Sequence, residues 1–369
     1  MKILHLTNHL NSGGISSYVY VLACEMKRRG HQSAVLTSEG ALVGRFQEAG
    51  ISVYSLLPRT KSEIDPRLYF VLPRILQMIG QGQYDLLHAH TRVGQVLASW
   101  IKVFTGIPYV TTAHGFYKNR LGRKIHPAWG DHVIAISNDV QDHLIEDFNL
   151  PHKNVTVVFN GVDIESLQHQ KQLKNRTEIL KSFGISVSNP IVVSSVARIV
   201  PAKGHEVLLH AIARLIPKYP ELHLILTGQG AHETNVRKVA NELRLNSNIT
   251  FTGPLEDITK TLAVTDIFVA SVLWDEAFGL SIAEAMALKI PVVTSSSWSL
   301  RDVYKDHESV LVVPPGNVSA LEKALDELIS NRNFGRSLTE IAYGILKNKF
   351  SAQLMGESIE KIYKRVFYK

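Results

Sequence analysis

At 369 residues the chain exceeds the about 250–300 residues at which a single core stops growing, so two domains are expected. Hydrophobic residues make up 45% and charged residues 20%, with no low-complexity tract, which excludes a disordered protein; the lone Cys24 excludes an internal disulfide and fits a reducing cytoplasm. A formal net charge of +7 suits anionic partners, whether nucleic acid, an anionic bilayer face or phosphorylated substrates, and the lack of any uncharged apolar run of about 18 residues points to neither export nor a membrane span.

Lys2–Thr7 is an apolar strand, and Asn8 to Gly14 leads from it into a helix with apolar positions Ile15, Tyr18, Val19, Leu22 and Met26, stopped by Gly30. Gly13 and Gly14 either let backbone approach an anion at the helix N-terminus or simply make a tight turn. The turn lacks the G-x-G-x-x-G pattern, which argues against a nicotinamide enzyme. Further strands are predicted at Ser33–Thr37, Ser52–Leu56, Leu86–Ala89, Tyr109–Thr112, Val133–Ile136 and Val155–Val158, with helical segments between most of them. That alternation implies a doubly wound parallel sheet. His88-Ala89-His90 and His114-Gly115 stand at strand ends, and with no acidic or cysteine cluster beside them no metal site is expected. Phe116 to Trp129 carries Lys118, Arg120, Arg123 and Lys124 among aromatic residues. It reads either as a solvated loop or as the place where an acceptor with lipid phosphates or an anionic sugar enters, a surface to which Arg59, Lys61 and Arg67, ahead of apolar Leu68–Ile79, would add.

Phe159-Asn160-Gly161-Val162-Asp163 closes the first half, and the polar stretch after it separates a first domain at residues 1–165 from a second at 190–350, with a linker region at 166–189. Ile191–Ala197 is a strand followed by Arg198 and Lys203 in a turn with Pro201 and Gly204, before the helix His205–Ile216. Two cations at a strand end can neutralise a diphosphate leaving group, or merely form a solvated basic turn. Leu222–Thr227 runs into Gly228-Gln229-Gly230, and Ile249–Gly253 into Pro254-Leu255. Asp266–Ala270, the helical Gly279–Lys289 and the strand opening at Pro291–Thr294 make a βαβ unit. Glu276 precedes that helix and Glu284 lies in its early turns, so both can face the crevice at the strands' carboxyl ends. Carboxylates accept hydrogen bonds from vicinal hydroxyls, and the free N–H groups at Gly279–Leu280 suit phosphate oxygens. Hydroxyls and a diphosphate together describe a nucleoside-diphosphate sugar. The last segment, Ser351–Phe367, reads as a basic amphipathic helix.

Glu276-Ala-Phe-Gly-Leu-Ser-Ile-Ala-Glu284 resembles the E-x7-E signature of glycosyltransferase family 4, retaining enzymes of the GT-B fold. Further segments match the family in order along nearly the whole chain: the Gly13-Gly14 loop, Thr-Ala-His114-Gly115, Asn-Gly-Val-Asp at 160–163, Arg198 to Lys203-Gly204, Gly228-Gln-Gly230, and Ile249 to Leu255. Two departures stand beside them. Ala270-Ser271 replaces the usual Pro-Ser, and Trp274-Asp275 adds bulk ahead of Glu276.

The resemblance implies an α/β chain of two Rossmann-like doubly wound parallel-sheet domains facing across a cleft, an acceptor domain first and a donor domain second, with the helix at 351–369 packing back on the first. It implies His114 and Glu276 on the transferred sugar, Arg198 and Lys203 on the diphosphate and Glu284 on the ribose. Gly13, Gly14, Gly228, Gly230, Leu255, Phe278, Gly279 and Leu280 would line the nucleotide-sugar site. The expected function is retaining transfer of a hexosyl group from a nucleotide sugar, a UDP-sugar or one based on guanosine or adenosine, to a glycan or glycolipid acceptor in cell-envelope polysaccharide or lipopolysaccharide synthesis. The enzyme is expected in the cytoplasm at the inner face of the membrane, in peripheral contact with anionic lipid. No cofactor and no metal are expected, because no D-x-D pair is present. The alternatives are a nucleotide-sugar epimerase of the same fold and a noncatalytic nucleic-acid binder, for which the sequence holds no recognised motif.

Overall fold

The computed structural model describes residues 1–60, 62–118, 121–274, 278–296 and 304–368. The chain divides into two compact units, Met1–Gly161 with Ala352–Lys369, and Val162–Ser351.

The first unit is built on β1 (Lys2–Leu6), β2 (Gln32–Thr37), β3 (Ser52–Ser55), β4 (Leu86–Ala89), β5 (Tyr109–Ala113), β6 (His132–Ala135) and β7 (Val155–Val157), in the order β3-β2-β1-β4-β5-β6-β7. Every pair is parallel. Strands of such a sheet are covered on both faces by helices and must be apolar throughout, and β4 and β5 are buried along their whole length. The strand order reverses between β1 and β4. At that switch point the carboxyl ends of β1, β4 and β5 deliver the loops that carry Gly13, His90 and His114. The helix Ala352–Phe367 packs on the helix Gly14–Arg28: Ile359, Ile362 and Tyr363 share one core with Tyr18, Leu22 and Met26, and Arg29 donates to Glu360 at 2.7 Å.

The second unit holds β8 (Ile191–Val196), β9 (Leu222–Thr227), β10 (Ile249–Gly253), β11 (Ile267–Ala270), β12 (Val292–Ser295) and β13 (Leu311–Val313), in the order β10-β9-β8-β11-β12-β13, again all parallel. Its switch point lies between β8 and β11. The polar stretch read from the sequence as a linker contains two helices of this unit, Ile164–Gln172 and Arg176–Ser182, started by the side-chain caps of Asp163 and Asn175. Composition hides them because only a narrow stripe of each is apolar: Ile164 and Leu167 are buried in the first, and Ile179 and Leu180 of the second bury with Ile185 against Val192 and Ile225. No helix among the described residues is long and apolar enough to cross a membrane.

Candidate active site

In the second unit the loops after β8, β9 and β11 interlock. Past β8 the chain goes through Arg198 into the short turn Pro201–Lys203, and Gly204, at φ 61°, opens the helix His205–Leu215. The loop after β11 is bonded to that turn. Leu273 N–H donates to the Ala202 carbonyl at 2.8 Å, and Ser271 Oγ donates to the carbonyls of Lys203 at 3.2 Å and Gly204 at 3.0 Å. A Cβ on Gly204 would stand 2.0 Å from the Ser271 carbonyl oxygen, so the approach needs glycine. Gly228 and Gly230 meet the same limit, at 2.0 Å from the carbonyl oxygens of Ala197 and Ile199, which gives both a packing reason in the loop that carries Arg198.

This strand end carries two cations. Arg198 is exposed with no partner among the described residues, Lys203 is half-buried, and burial together with the Lys203 charge pushes the neighbouring His205 down to about 4, so it adds no charge at neutral pH. The helix Leu280–Ala287 starts at Gly279, φ 68°, with no side-chain cap and no acid in its first turn. The Leu280 and Ser281 N–H groups have no partner among the described residues and so keep their capacity for an anion. Glu284 is half-buried on this helix, and Leu280 and Leu255 are half-buried at its start and after β10. The Phe278 side chain is buried against Phe350, with ring centroids 5.6 Å apart, and so serves packing. Glu276, with Asp275, lies outside the described residues.

In the first unit Gly13 and Gly14 are exposed at the start of the helix Gly14–Arg28, which has neither a side-chain cap nor an acid in its first turn. His114 is half-buried at the end of β5, its ring edge-on to Tyr18 at 4.7 Å and its Nε2 3.3 Å from Nδ1 of His90. Desolvation pushes it down to about 3, so it is neutral. Behind it stand His5, His88 and His90, which offer ring nitrogens within 4.8 Å of one another, a spacing that could hold a metal ion. All of those nitrogens but His5 Nε2 already serve each other and their neighbours: His88 Nδ1 meets the Tyr363 hydroxyl at 2.6 Å, His88 Nε2 meets Thr112 Oγ1 at 2.7 Å, His5 Nδ1 meets His90 Nε2 at 3.1 Å and His90 Nδ1 meets His114. Sequence reasoning picked out His88, His90 and His114 but not His5, Tyr18 or Tyr363, whose proximity depends on strand order and on the returning helix.

The basic segment needs one correction. Leu121–Ile125 is helical, and Arg123 is buried, donating to Gln95 Oε1 at 3.0 Å with its guanidinium 4.4 Å from the ring centroids of both Tyr117 and Trp129. A cation sandwiched between aromatic faces is a packing element, so Arg123 is no part of a surface patch. Arg59 and Arg67 are ion-paired with Glu39 and Asp65, while Arg120 and Lys61 lie outside the described residues. Lys118, Lys124 and Arg74 are exposed, with no partner among the described residues. Phe70, Val103, Leu121 and Ile125, on the helices Arg67–Gly82, Arg92–Thr105 and Leu121–Ile125, are 72–84% exposed. The segments that carry them are joined: Tyr69 stacks on Trp100 at 4.6 Å, Arg92 joins Glu63 to the Gly122 and His126 carbonyls, and Ser99 Oγ meets His126 at 2.7 Å. Scattered exposed apolar residues are ordinary, but a contiguous group marks an interaction surface. The signal was present in Leu68–Ile79, which is apolar around nearly its whole circumference.

Residues 12–166 match the family model "Glycosyltransferase Family 4", and residues 175–344 match "Glycosyl transferases group 1". The chain is 29% identical over 333 residues to the phosphatidyl-myo-inositol mannosyltransferase of Mycobacterium leprae, covering 86% of this chain and 84% of that one. Among solved structures it is similar to HepE of Anabaena in complex with UDP and glucose, at TM-score 0.84 and 21% identity over 99% of this chain and 100% of that one. It is similar as well to WaaG, a glycosyltransferase involved in lipopolysaccharide biosynthesis, at TM-score 0.73 and 14% identity over 99% of each chain. These likenesses are to GT-B transferases, and they do not support the epimerase reading.

Proposed function

We propose, for a chain that is a family 4 type glycosyltransferase of the GT-B fold, that it moves a hexosyl group with retention from a UDP-sugar to a glycan or glycolipid acceptor of the cell envelope, without a metal ion. The observation that carries this reading is the second unit's switch point, where Arg198, Lys203 and the helix start at Gly279 stand at the carboxyl ends of β8 and β11. In the transfer, the bond between the anomeric carbon and the β-phosphate oxygen breaks and the acceptor oxygen bonds to that carbon. The acceptor's proton passes to the departing phosphate oxygen. Negative charge grows on the diphosphate as it leaves, so Arg198 and Lys203 stabilise the transition state more than the ground state. Glu284 binds the ribose hydroxyls, Glu276 and His114 bind the sugar, and Gly13 and Gly14 offer N–H groups to the donor or acceptor.

The acceptor side of the proposal rests on the apolar and basic face of the first unit. Its acids Glu63, Asp65 and Asp131 are each paired with Arg92, Arg67 and Lys102, so Arg74, Lys118 and Lys124 leave the face cationic around Phe70, Val103 and Ile125. That combination suits an anionic bilayer, each cation there being worth about 1 kcal/mol. The enzyme then works at the cytoplasmic face of a membrane.

Two measurements test the reading. Arg198→Ala and Lys203→Ala should each lower turnover by about 10²-fold at saturating UDP-sugar, as loss of an oxyanion donor does. Turnover near wild type in both variants removes the clamp. Phe70→Ser/Val103→Ser/Ile125→Ser should abolish sedimentation with phosphatidylglycerol vesicles while UDP binding by calorimetry stays unchanged. Undiminished sedimentation moves the acceptor surface elsewhere.

A further inference from the structure

His114 is the end of a chain of rings. Its Nε2 lies 3.3 Å from Nδ1 of His90, and Nε2 of His90 lies 3.1 Å from Nδ1 of His5. His5 sits within β1, His90 follows β4, and His114 follows β5, so neighbouring strands carry the chain from the sheet interior to its carboxyl edge. All three are neutral: burial pushes His5 and His114 down to about 3 and holds His90 well below its ordinary value, with the His88, His5 and His114 charges adding to the effect.

A neutral imidazole carries one N–H and one lone pair, so the direction of one hydrogen bond dictates the others. Suppose that His114 donates from Nε2. His90 then accepts at Nδ1 and donates from Nε2, His5 accepts at Nδ1, and the proton of His5 is forced onto its own Nε2. That nitrogen is sealed from solvent and has no partner. In the opposite direction His5 donates from Nδ1, His90 accepts at Nε2 and donates from Nδ1, and His114 accepts at Nε2. Only a lone pair is then stranded on His5. Interiors tolerate an unused acceptor better than an orphaned N–H, so the second direction wins.

We propose that His5 and His90 are positioning residues that lock His114 as its Nδ1–H tautomer, so that the nitrogen it turns outward is always a hydrogen-bond donor. Nδ1 of His114 has no partner among the described residues and is not one of the sealed nitrogens. Tyr18, edge-on at 4.7 Å, holds the ring plane, while His88 stays outside the chain with both nitrogens held by Tyr363 and Thr112. A fixed neutral donor recognises an oxygen lone pair, such as that of a sugar hydroxyl, and cannot take up a proton as a general base. The proposal rests on the reading that His114 meets the sugar. It also agrees with the leaving phosphate oxygen, and not a side chain, receiving the acceptor's proton.

The test is long-range 1H–15N correlation on the full chain labelled with 15N-histidine at pH 7.5, with His114 assigned through His114→Gln. Wild-type His114 should carry its proton on Nδ1 and a lone pair on Nε2. In His90→Phe the lock is gone: both tautomers should appear, and kcat should fall roughly tenfold with KM for the UDP-sugar little changed. UDP-glucose, UDP-galactose and UDP-N-acetylglucosamine serve as donor probes, the fastest being used for all variants. His90→Asn, whose amide N–H takes the place of Nδ1–H, should restore the single tautomer and most of the rate. A wild-type His114 protonated on Nε2 overturns the lock. An Nδ1–H ring together with unaltered turnover in His114→Gln overturns instead the reading that this ring meets the sugar.

Discussion

Acidification from pH 7.5 to 5.5 should destabilise the first unit before any carboxylate titrates. His5, His88 and His90 are no more than 1% exposed, and burial, followed by repulsion among the histidines for His88 and His90, keeps them neutral in the folded chain. Unfolded, each titrates near its ordinary value of about 6.5. Their folded pKa values are depressed, so below 6.5 the unfolded state binds more protons. The stability contribution is complete above pH 6.5 and is lost as pH falls towards the folded values, about 3 for His5. At pH 5.5 an unfolded histidine has gained about 1.4 kcal/mol from protonation, and three together give about 4 kcal/mol. The size does not depend on how far below 5 the folded values lie. It is a large part of the about 5–15 kcal/mol that holds a domain together. Urea unfolding followed by Trp100 and Trp129 fluorescence, in a Trp274→Phe/Trp298→Phe background, isolates this unit. With a slope of about 2–3 kcal/mol per molar urea, the midpoint should drop by roughly 1.3–2 M between the two pH values. A midpoint that stays where it was would mean that these rings are already charged or are not buried, and the tautomer lock would lose its basis.

Gly204→Ala and Gly253→Ala share a left-handed backbone, φ 61° and 69°, but only Gly204 has a backbone oxygen 2.0 Å from where the Cβ would go. Gly253→Ala should cost about 1–2 kcal/mol from handedness alone, and Gly204→Ala about 1–3 kcal/mol more, so equal melting temperatures for the two would refute the steric account. Arg123→Ala should lower thermal stability by about 2–4 kcal/mol because it empties the space between Tyr117 and Trp129 and leaves Gln95 Oε1 unpaired, whereas Lys124→Ser should change it by less than about 0.5 kcal/mol. Similar melting shifts for the two would return Arg123 to the surface. Glycosyl transfer should survive EDTA unaltered, and loss on chelation with recovery on added magnesium or manganese would displace Arg198 and Lys203 as the diphosphate partners.

Most strands were legible because parallel strands are short, largely apolar runs: Leu86–Ala89 and Leu222–Thr227 have the ends that the sequence predicts. The sequence reading assigns nothing between Tyr304 and Phe350, where β13 and the helices Val318–Ser330 and Arg332–Lys349 lie. Their start signals were available, since Asn317 and Asn331 cap the two helices through their side chains. The lock on His114 was not legible. His-Ala-His and Thr-Ala-His-Gly are visible as strings, but His90 reaches His114 only because β4 pairs with β5 with Ala89 opposite Thr111, and His5 joins them only because β1 pairs with β4 in register, His5 opposite His88. Arg123 departs from expectation for a related reason: a charge reads in sequence as solvated or ligand-facing, although the aromatic residues Tyr117 and Trp129 that enclose it lie in the same segment.

The two switch points put unlike chemistry in like positions, and electrostatics explains the difference. In the proposed transfer a departing diphosphate gains negative charge, and the second unit would meet it with the cations Arg198 and Lys203 and the N-terminus of the helix Leu280–Ala287, beside glycine turns that admit no side chain. A sugar hydroxyl gains little charge, and a cation beside it would be spent on water. What discriminates one hydroxyl from another is a donor fixed in direction, because a polar group held without freedom pairs with one geometry and is left unpaired by the rest. The first unit has the means for that in a stack of neutral rings braced by Tyr18. The same burial that strips those histidines of charge makes them rigid, so the acid sensitivity of this unit and the directional donor at its edge have a single physical origin.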